Sequence, residues 1–590
     1  LGFALTGTIQ PGGWAARRRR AMNRLHARLA GRARPAGGIV SQPEPRSIGR
    51  AARGRQLLAG NILCAGHLVE IAAGAHPWDI VPPDAAFAAE LHGFGWLDDL
   101  AAVPDPAAGV AAQAWVDAWV ARHGRGRGPG WDPDIAGRRL IRLLHHAVLL
   151  MHARPTGATR ALMRTMAAHA VFLAKRWPAA TPGLPRIEAL TGLLYGAVGL
   201  MGMEAHVAPA VAALERACAD TVDAGGAIAT RNPEELLEVF TLLTWAAAML
   251  AEAGRPVGAG VLGAIERIAP VLRALRHADG GLARFHGGGR GLPGRLDRAL
   301  ASAAVPARPP EALAMGYARL HAGRTSVIVD ATPPPARAAS HAAHASTLAF
   351  ELTSGRRPVI VNCGPGRGHG ADWRLAARAT ACHSTLSIEG ASSARIAPGG
   401  GLLRPAAGLL IEAPVTVTPQ LTAREDGMHL LAGHDGYAAR FGLTHMRRLH
   451  LSATGRALSG EDTLGAMDEV ERRAFDRALD RSRLRGVRFA VRFHLHPDVE
   501  PALDMGGAAV SLVLRSGEVW VFRHEGGAEM TLERSVYLQS DRLHPRQSRQ
   551  IVLASSVVDY AAQVTWTLAK AQETPDYLRD TEADDLIGQI

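Results

Sequence analysis

Apolar residues recur at three- and four-residue spacing from about residue 55 to 280, in stretches of helical length. The spacing predicts helices over 53–71, 107–122, 136–152, 159–177, 186–203, 208–222, 233–253 and 261–276. Clusters of Pro and Gly at 124–130, 181–185, 223–226 and 287–294 separate them. Asn232-Pro233-Glu234-Glu235 supplies a helix start: a capping amide, a proline at the first position and acids in the first turn. Serial helical hairpins of this kind suggest an all-α bundle, solenoid or toroid. No fixed period supports a strict repeat.

From about Arg324 the pattern shortens to alternating or β-branched runs at 325–329, 347–352, 359–362, 385–388, 409–412, 487–493, 509–514, 519–522, 536–539 and 550–553. Many short strands with turns between them predict an antiparallel sandwich. The expected organisation is an N-terminal arm (1–52), a helical domain (53–286), a linker (287–310) and a β-sandwich domain (311–590). The fold class is therefore multidomain α+β, helices first and sheet second.

Composition changes this picture in one place. At 590 residues the chain exceeds what one core can serve, and 47% hydrophobic with 20% charged residues is ordinary for a globular protein. No run approaches the eighteen or so uninterrupted apolar residues that would span a bilayer. The net charge of +12 is concentrated before residue 56, where twelve arginines face a single acid, Glu44. Such an arm could touch nucleic acid, anionic lipid or an acidic glycan; a solvated extension is its plainest reading. With no aromatic platform beyond Trp14, nucleic acid is not the expected partner. The apolar stretch 1–9 precedes the arginines, the reverse of a secretory signal, so a cytoplasmic location stays open. Lysine is nearly absent (Lys175 and Lys570 only), and Cys64, Cys218, Cys363 and Cys382 form no metal-finger spacing. Small buried thiols are expected, with a local Cys363–Cys382 pair conceivable.

The candidate chemistry lies between His341 and Arg395. His344 stands before one predicted strand, Asn362 at the end of the next, and His383 opens a third. Strand ends can converge, and imidazole serves both proton transfer and metal binding. Other features carry less. Gly364-Pro-Gly-Arg-Gly-His-Gly370 lacks the Lys-Ser/Thr ending of a phosphate loop. His494 and His496 share a strand face, and Trp115, Trp119 and Trp131 would suit either core packing or sugar stacking. No opposed carboxylate pair for glycoside hydrolysis stands out.

The same segment, with Phe350-Glu351-Leu352, Trp373-Arg374 and His383-Ser-Thr385, resembles the C-terminal signature of the heparinase II/III family of polysaccharide lyases. The resemblance implies an (α/α) toroid followed by an antiparallel β-sandwich. It also implies β-elimination on an acidic, uronic-acid-containing polysaccharide, heparan-like or bacterial. In that chemistry the C5 proton is removed, the uronate carboxylate is neutralised and the O4 leaving group is protonated. Carried over by position, His344, His383 and Tyr195 are the candidates for proton transfer. Arg374, Arg231, Asn232 and Trp373 are the candidates for substrate. Zinc at a degenerate site would fall on His344, Asn362 and His383. Departures are visible: Asn362 stands where the family has an acid, Ser346 where it has an aspartate, and residues around Gly183–Arg186 replace its Asn-His pair. A member that has lost catalysis and binds glycan or serves the envelope is the alternative. The family's substrates imply a periplasmic or envelope location.

Overall fold

The computed structural model describes residues 13–41, 43–72, 75–307, 313–398, 407–540 and 542–571. Its helical part is organised around Leu184–Gly199, buried along its length except at Arg186. This helix packs against Pro133–His145 at glycine-on-glycine range. A Cβ on Gly192 would sit 2.3 Å from the Gly137 Cα, so neither position admits a side chain. Thr156–Arg176, Val207–Thr221 and Pro233–Glu252 surround the pair, and Ala259–Ala274 closes the ring against the last two. Asn232 caps Pro233–Glu252 as expected, its Oδ1 accepting from the Glu234 and Glu235 N–H groups.

Three predicted segments differ. The arm is not a solvated extension from residue 13 onward. Helix Trp14–Ala30 buries Ala16, Asn23, Ala27 and Ala30 against Thr156–Arg176, and the Asn23 amide donates to Asp132 and accepts from Arg176. The helix expected over 53–71 stops at Leu58. Gly60 at φ +86° breaks it, and a tight Ala65-Gly66 turn, both residues at positive φ, folds Asn61–Cys64 onto His67–Glu70 as a hairpin. The linker region carries helix Arg295–Ala303, held by Arg295 pairing with buried Glu238.

The second part is a sandwich of two antiparallel sheets. One runs in the order Glu529–Tyr537, Arg546–Val557, Val487–Leu495, Arg357–Val361, Phe350–Ser354, Thr325–Asp330, Tyr317–Ala322. Short Leu386–Ile388 also pairs with Val487–Leu495. The other runs Gln420–Arg424, Gly427–His434, Thr444–Ser452, Ala457–Gly465, Ala561–Lys570, Val519–Glu525, Ala509–Leu514, Val499–Asp504. Phe350, Phe493, Phe522 and Trp566 pack between them, with ring centroids 4.8–6.2 Å apart. Gly460 gives Trp566 its room, since a Cβ there would lie 2.1 Å from the indole. Among the described residues no helix is long and apolar enough to cross a membrane.

Candidate functional site

Strands Thr325–Asp330 and Phe350–Ser354 carry two fully buried carboxylates toward the helical part, and each gathers a knot of polar groups. Asp330 takes Arg231 Nη2 at 2.6 Å, Ser346 Oγ at 2.7 Å and His286 Nε2 at 3.4 Å. Burial alone would raise its pKa; the Arg231 charge, helped by the His286 ring and the Ser346 hydroxyl, outweighs that and holds it well below the usual carboxylate range. Glu351 takes Arg284 through Nε and Nη2, each 3.1 Å from Oε1, and also accepts from the Arg284 and Asn362 backbone N–H groups. Burial pushes Glu351 up, but Arg284 and then His277 bring it down to about 2. Arg231 and Arg284 come from the helical side, so these two knots fasten the parts together.

His344 and His383 lie beside the first knot. His383 Nδ1 is 2.8 Å from the Ala379 carbonyl, so it carries the hydrogen. Its Nε2 therefore accepts from His344 Nδ1–H at 2.9 Å. The His344 backbone N–H donates to His286 Nδ1 at 3.2 Å, which turns the other nitrogen of that ring to Asp330. Only 3% of His344 and 1% of His383 is exposed. Burial, then the His383 ring, lowers the His344 pKa well below its ordinary value; burial brings His383 down to about 4. Both rings are neutral near pH 7.

The remaining sequence-derived candidates are dispersed. Tyr195 is in the helical core, its hydroxyl 3.4 Å from His145 Nε2 and its pKa raised by burial. Arg231 has no free edge for a uronate. Besides Asp330 it donates to the carbonyls of Met315, Gly316, Thr332 and Pro333, and its guanidinium lies 4.8 Å from the Tyr317 ring centroid. Asn232 spends its Oδ1 on the helix cap, while its buried amide nitrogen has no hydrogen-bond partner among the described residues. Trp373 and Arg374 are exposed on helix Ala371–Ala376, and Arg374 borders a cavity of about 70 Å³ between the two parts. That cavity is acidic as well as basic, with Asp84, Glu90 and Glu234 facing Arg367 and Arg374. Its wall is shut where the 61–70 hairpin meets the 364–370 loop. A Cβ on Gly66 would lie 2.0 Å from the Gly368 carbonyl oxygen.

The residues do not fit a zinc ion. The two imidazoles spend their facing nitrogens on each other. Asn362 Oδ1 accepts from the Ser384 N–H at 3.0 Å, while its amide nitrogen faces Glu351. Cys363 Sγ points to His494 and Ser535, and all four cysteines are free thiols. Among the described residues the one trio of His, Cys, Asp or Glu close enough to share an ion is Asp426, His429 and His450, in the other sheet. His494 donates Nε2–H to the Ala381 carbonyl and accepts from Ser535. His496 packs on the Tyr537 ring. Trp115, Trp119 and Trp131 are core residues, with the Arg139 guanidinium 4.1 Å above Trp119.

Sequence reasoning missed a network that braces the histidine pair from behind. Arg447 pairs with buried Asp462 and donates to the carbonyls of Leu348 (2.7 Å) and Ser384 (2.9 Å), flanking His344 and His383. His445 Nε2–H and Trp566 Nε1–H also serve Asp462. In the helical part Glu188, Glu235 and Glu238 are buried, and burial pushes Glu235 up to about 7 and Glu188 up to about 8.

A ring of antiparallel helices followed by a two-sheet antiparallel sandwich, joined through buried ion pairs, defines the class of α/α-toroid and β-sandwich proteins. The heparinase II/III-like C-terminal family model matches residues 304–567. FtsZ-localized protein C of Caulobacter vibrioides is 32% identical over 554 residues, which cover 91% of this chain and 91% of that protein. The chain belongs to the heparinase II/III family. Among solved structures, heparinase III aligns over 96% of this chain and 90% of its own, at 14% identity and TM-score 0.67. A mutant of heparan sulfate lyase HepC from Pedobacter heparinus aligns over 95% and 89%, also at 14% identity, with TM-score 0.56. At that identity the structural likeness speaks for the fold.

Proposed function

We propose that this chain keeps the family's scaffold without its lyase chemistry, and works by association at the place where FtsZ assembles. The observation that carries the first half is the burial of the proton-transfer candidates. Elimination needs a base within hydrogen-bond reach of the substrate C5 proton and a free cation on its carboxylate. Here the paired imidazoles are walled in, Arg231 is saturated by protein acceptors and Tyr195 is in the core. Three carboxylates in the cavity beside Arg374 also disfavour a polyuronate. The second half is supported by the likeness to FtsZ-localized protein C, which runs through both parts of the chain. A fluorescent fusion is expected to coincide with FtsZ in the cell, and the purified chain to be retained on immobilised FtsZ. A uniform distribution together with no retention would remove this reading.

The His344–His383 pair favours a second reading, a uronate β-eliminating lyase whose site opens on substrate. In it His344 removes the C5 proton and Arg374 faces the carboxylate. Heparan, chondroitin, alginate and bacterial acidic glycans, followed for ultraviolet-absorbing unsaturated products, test it. Turnover lost in His344→Ala and His383→Ala would establish it.

A further inference from the structure

The second sheet carries a trio of donor side chains outside the site described above. Its edge hairpin, Gln420–Arg424 and Gly427–His434, is closed by the turn Glu425-Asp426. On the next strand, Thr444–Ser452, His450 lies directly opposite His429. Residues so paired face the same way with Cβ atoms about 4.5–5.5 Å apart. The two imidazoles stack flat, their centroids 4.2 Å apart and their planes 4° from parallel.

Asp426 reaches both rings from the turn. His429 Nε2 is 2.9 Å from Asp426 Oδ1, and His450 Nε2 is 3.6 Å from Oδ2. Backbone contacts hold the turn in place over them. The Asp426 carbonyl accepts from the Ala453 N–H at 2.8 Å and lies 3.2 Å from His450 Nε2. Gly427 permits this approach: its φ is +143°, and a Cβ there would lie 2.0 Å from the Leu451 carbonyl oxygen. The side chains of Asp426, His429 and His450 are 58%, 21% and 31% exposed, so the trio is open to solvent.

One imidazole on the carboxylate is an ordinary hydrogen bond. A second ring, stacked on the first with the same nitrogen turned to the same group, is the arrangement that a shared cation uses. A tetrahedral ion with bonds of about 2.0–2.1 Å holds its ligand atoms about 3.3 Å apart. The nitrogen–oxygen separations of 2.9 and 3.6 Å bracket that value, and all three ligand atoms lie within 4.8 Å of one another. Two imidazoles with one carboxylate select a late first-row ion over calcium or magnesium, which take oxygen ligands. Three protein ligands with a position left over is the donor count of an open zinc site, not of a closed structural one.

We propose that Asp426, His429 and His450 bind one late first-row divalent cation, zinc foremost, whose remaining position is open to water or to a donor atom of a bound molecule. Because its ligands come from the turn and from two strands, the ion also ties the edge hairpin to strand Thr444–Ser452.

Equilibrium dialysis of the chelator-treated full chain against micromolar zinc tests this. The native chain retains an ion that His429→Ala with His450→Ala does not, and zinc raises the melting temperature of the native chain alone. Asp426→Asn, isosteric and in an exposed turn, leaves the metal-free melting temperature unchanged and lowers the affinity about tenfold or more. Magnesium at the same concentration is not retained. No zinc on the native chain would overturn the proposal, as would equal retention by the double histidine variant or equal retention of magnesium. None of these results depends on whether FtsZ is a partner.

Discussion

At the scale of single residues, side chains at two family positions, Arg231 and His383, are spent on contacts within the protein. Arg231 stands on the turn that leads into helix Pro233–Glu252, where its family position points to substrate. Its left-handed backbone (φ +50°) instead aims the guanidinium at Asp330 and four carbonyls across the junction. Arg231→Ala strands a buried carboxylate, and a loss of about 3–5 kcal/mol is expected in denaturant unfolding. A soluble variant of near-native stability would show that the knot is not a fastening. His383→Ala leaves the His344 Nδ1–H without an acceptor in a dry site, and about 1–3 kcal/mol is the expected cost. His383→Gln, which can still accept, recovers part of it. Equal melting temperatures for the two variants would contradict the hydrogen-bond assignment.

At the scale of elements, the junction is closed by a turn and a loop. Gly66, at φ +85°, forms the hairpin tip and touches the Gly368 backbone. Gly66→Ala combines backbone strain with a clash that no flexible side chain relieves. It should part the hairpin from the 364–370 loop and speed amide exchange in both, with a stability loss of about 1–3 kcal/mol. Unchanged exchange there would mean the contact is incidental. The helices of the first part were legible because apolar residues recur at three- and four-residue spacing, as do Leu236, Phe240 and Leu243 in Pro233–Glu252. Strand Thr444–Ser452 was not, because its inward positions are His445, Arg447, Leu449 and Leu451. Two buried polar groups break the alternation that marks a strand, and their partner, Asp462, sits on the neighbouring strand at an inward position. Strand ends allowed the convergence of His344 with His383, and the family resemblance, not the spacing, singled it out. The sequestration of Arg231 and Tyr195 was not, since it depends on contacts from residues far along the chain.

At the scale of the whole molecule, buried titratable groups set a window of stability. Below pH about 4.5 folded and unfolded chains both hold the protons of Glu188 and Glu235. As pH rises, the unfolded chain releases them while the folded one keeps them up to about 8 and 7. For Glu188, burial outweighs Arg138, whose Nε is 3.5 Å away. Stability therefore falls as pH climbs through that range, and Glu188→Gln with Glu235→Gln should flatten the alkaline limb of melting temperature against pH. His383 acts with the opposite sign. The unfolded chain takes up a proton below about 6.5 that the folded one refuses until about 4, so stability is lost as pH falls through that interval. A pH profile flat on both limbs would contradict the burial on which the site description rests.

The central claim is that this heparinase II/III scaffold holds the candidate groups His344, His383 and Arg231 in contacts within the protein instead of presenting them to a glycan. The most direct test follows unsaturated uronate absorbance while the purified chain meets a panel of acidic polysaccharides, with the His344→Ala, His383→Ala double variant alongside. The account predicts no product from either protein on any substrate. Product formed by the native chain and abolished in the double variant would contradict it.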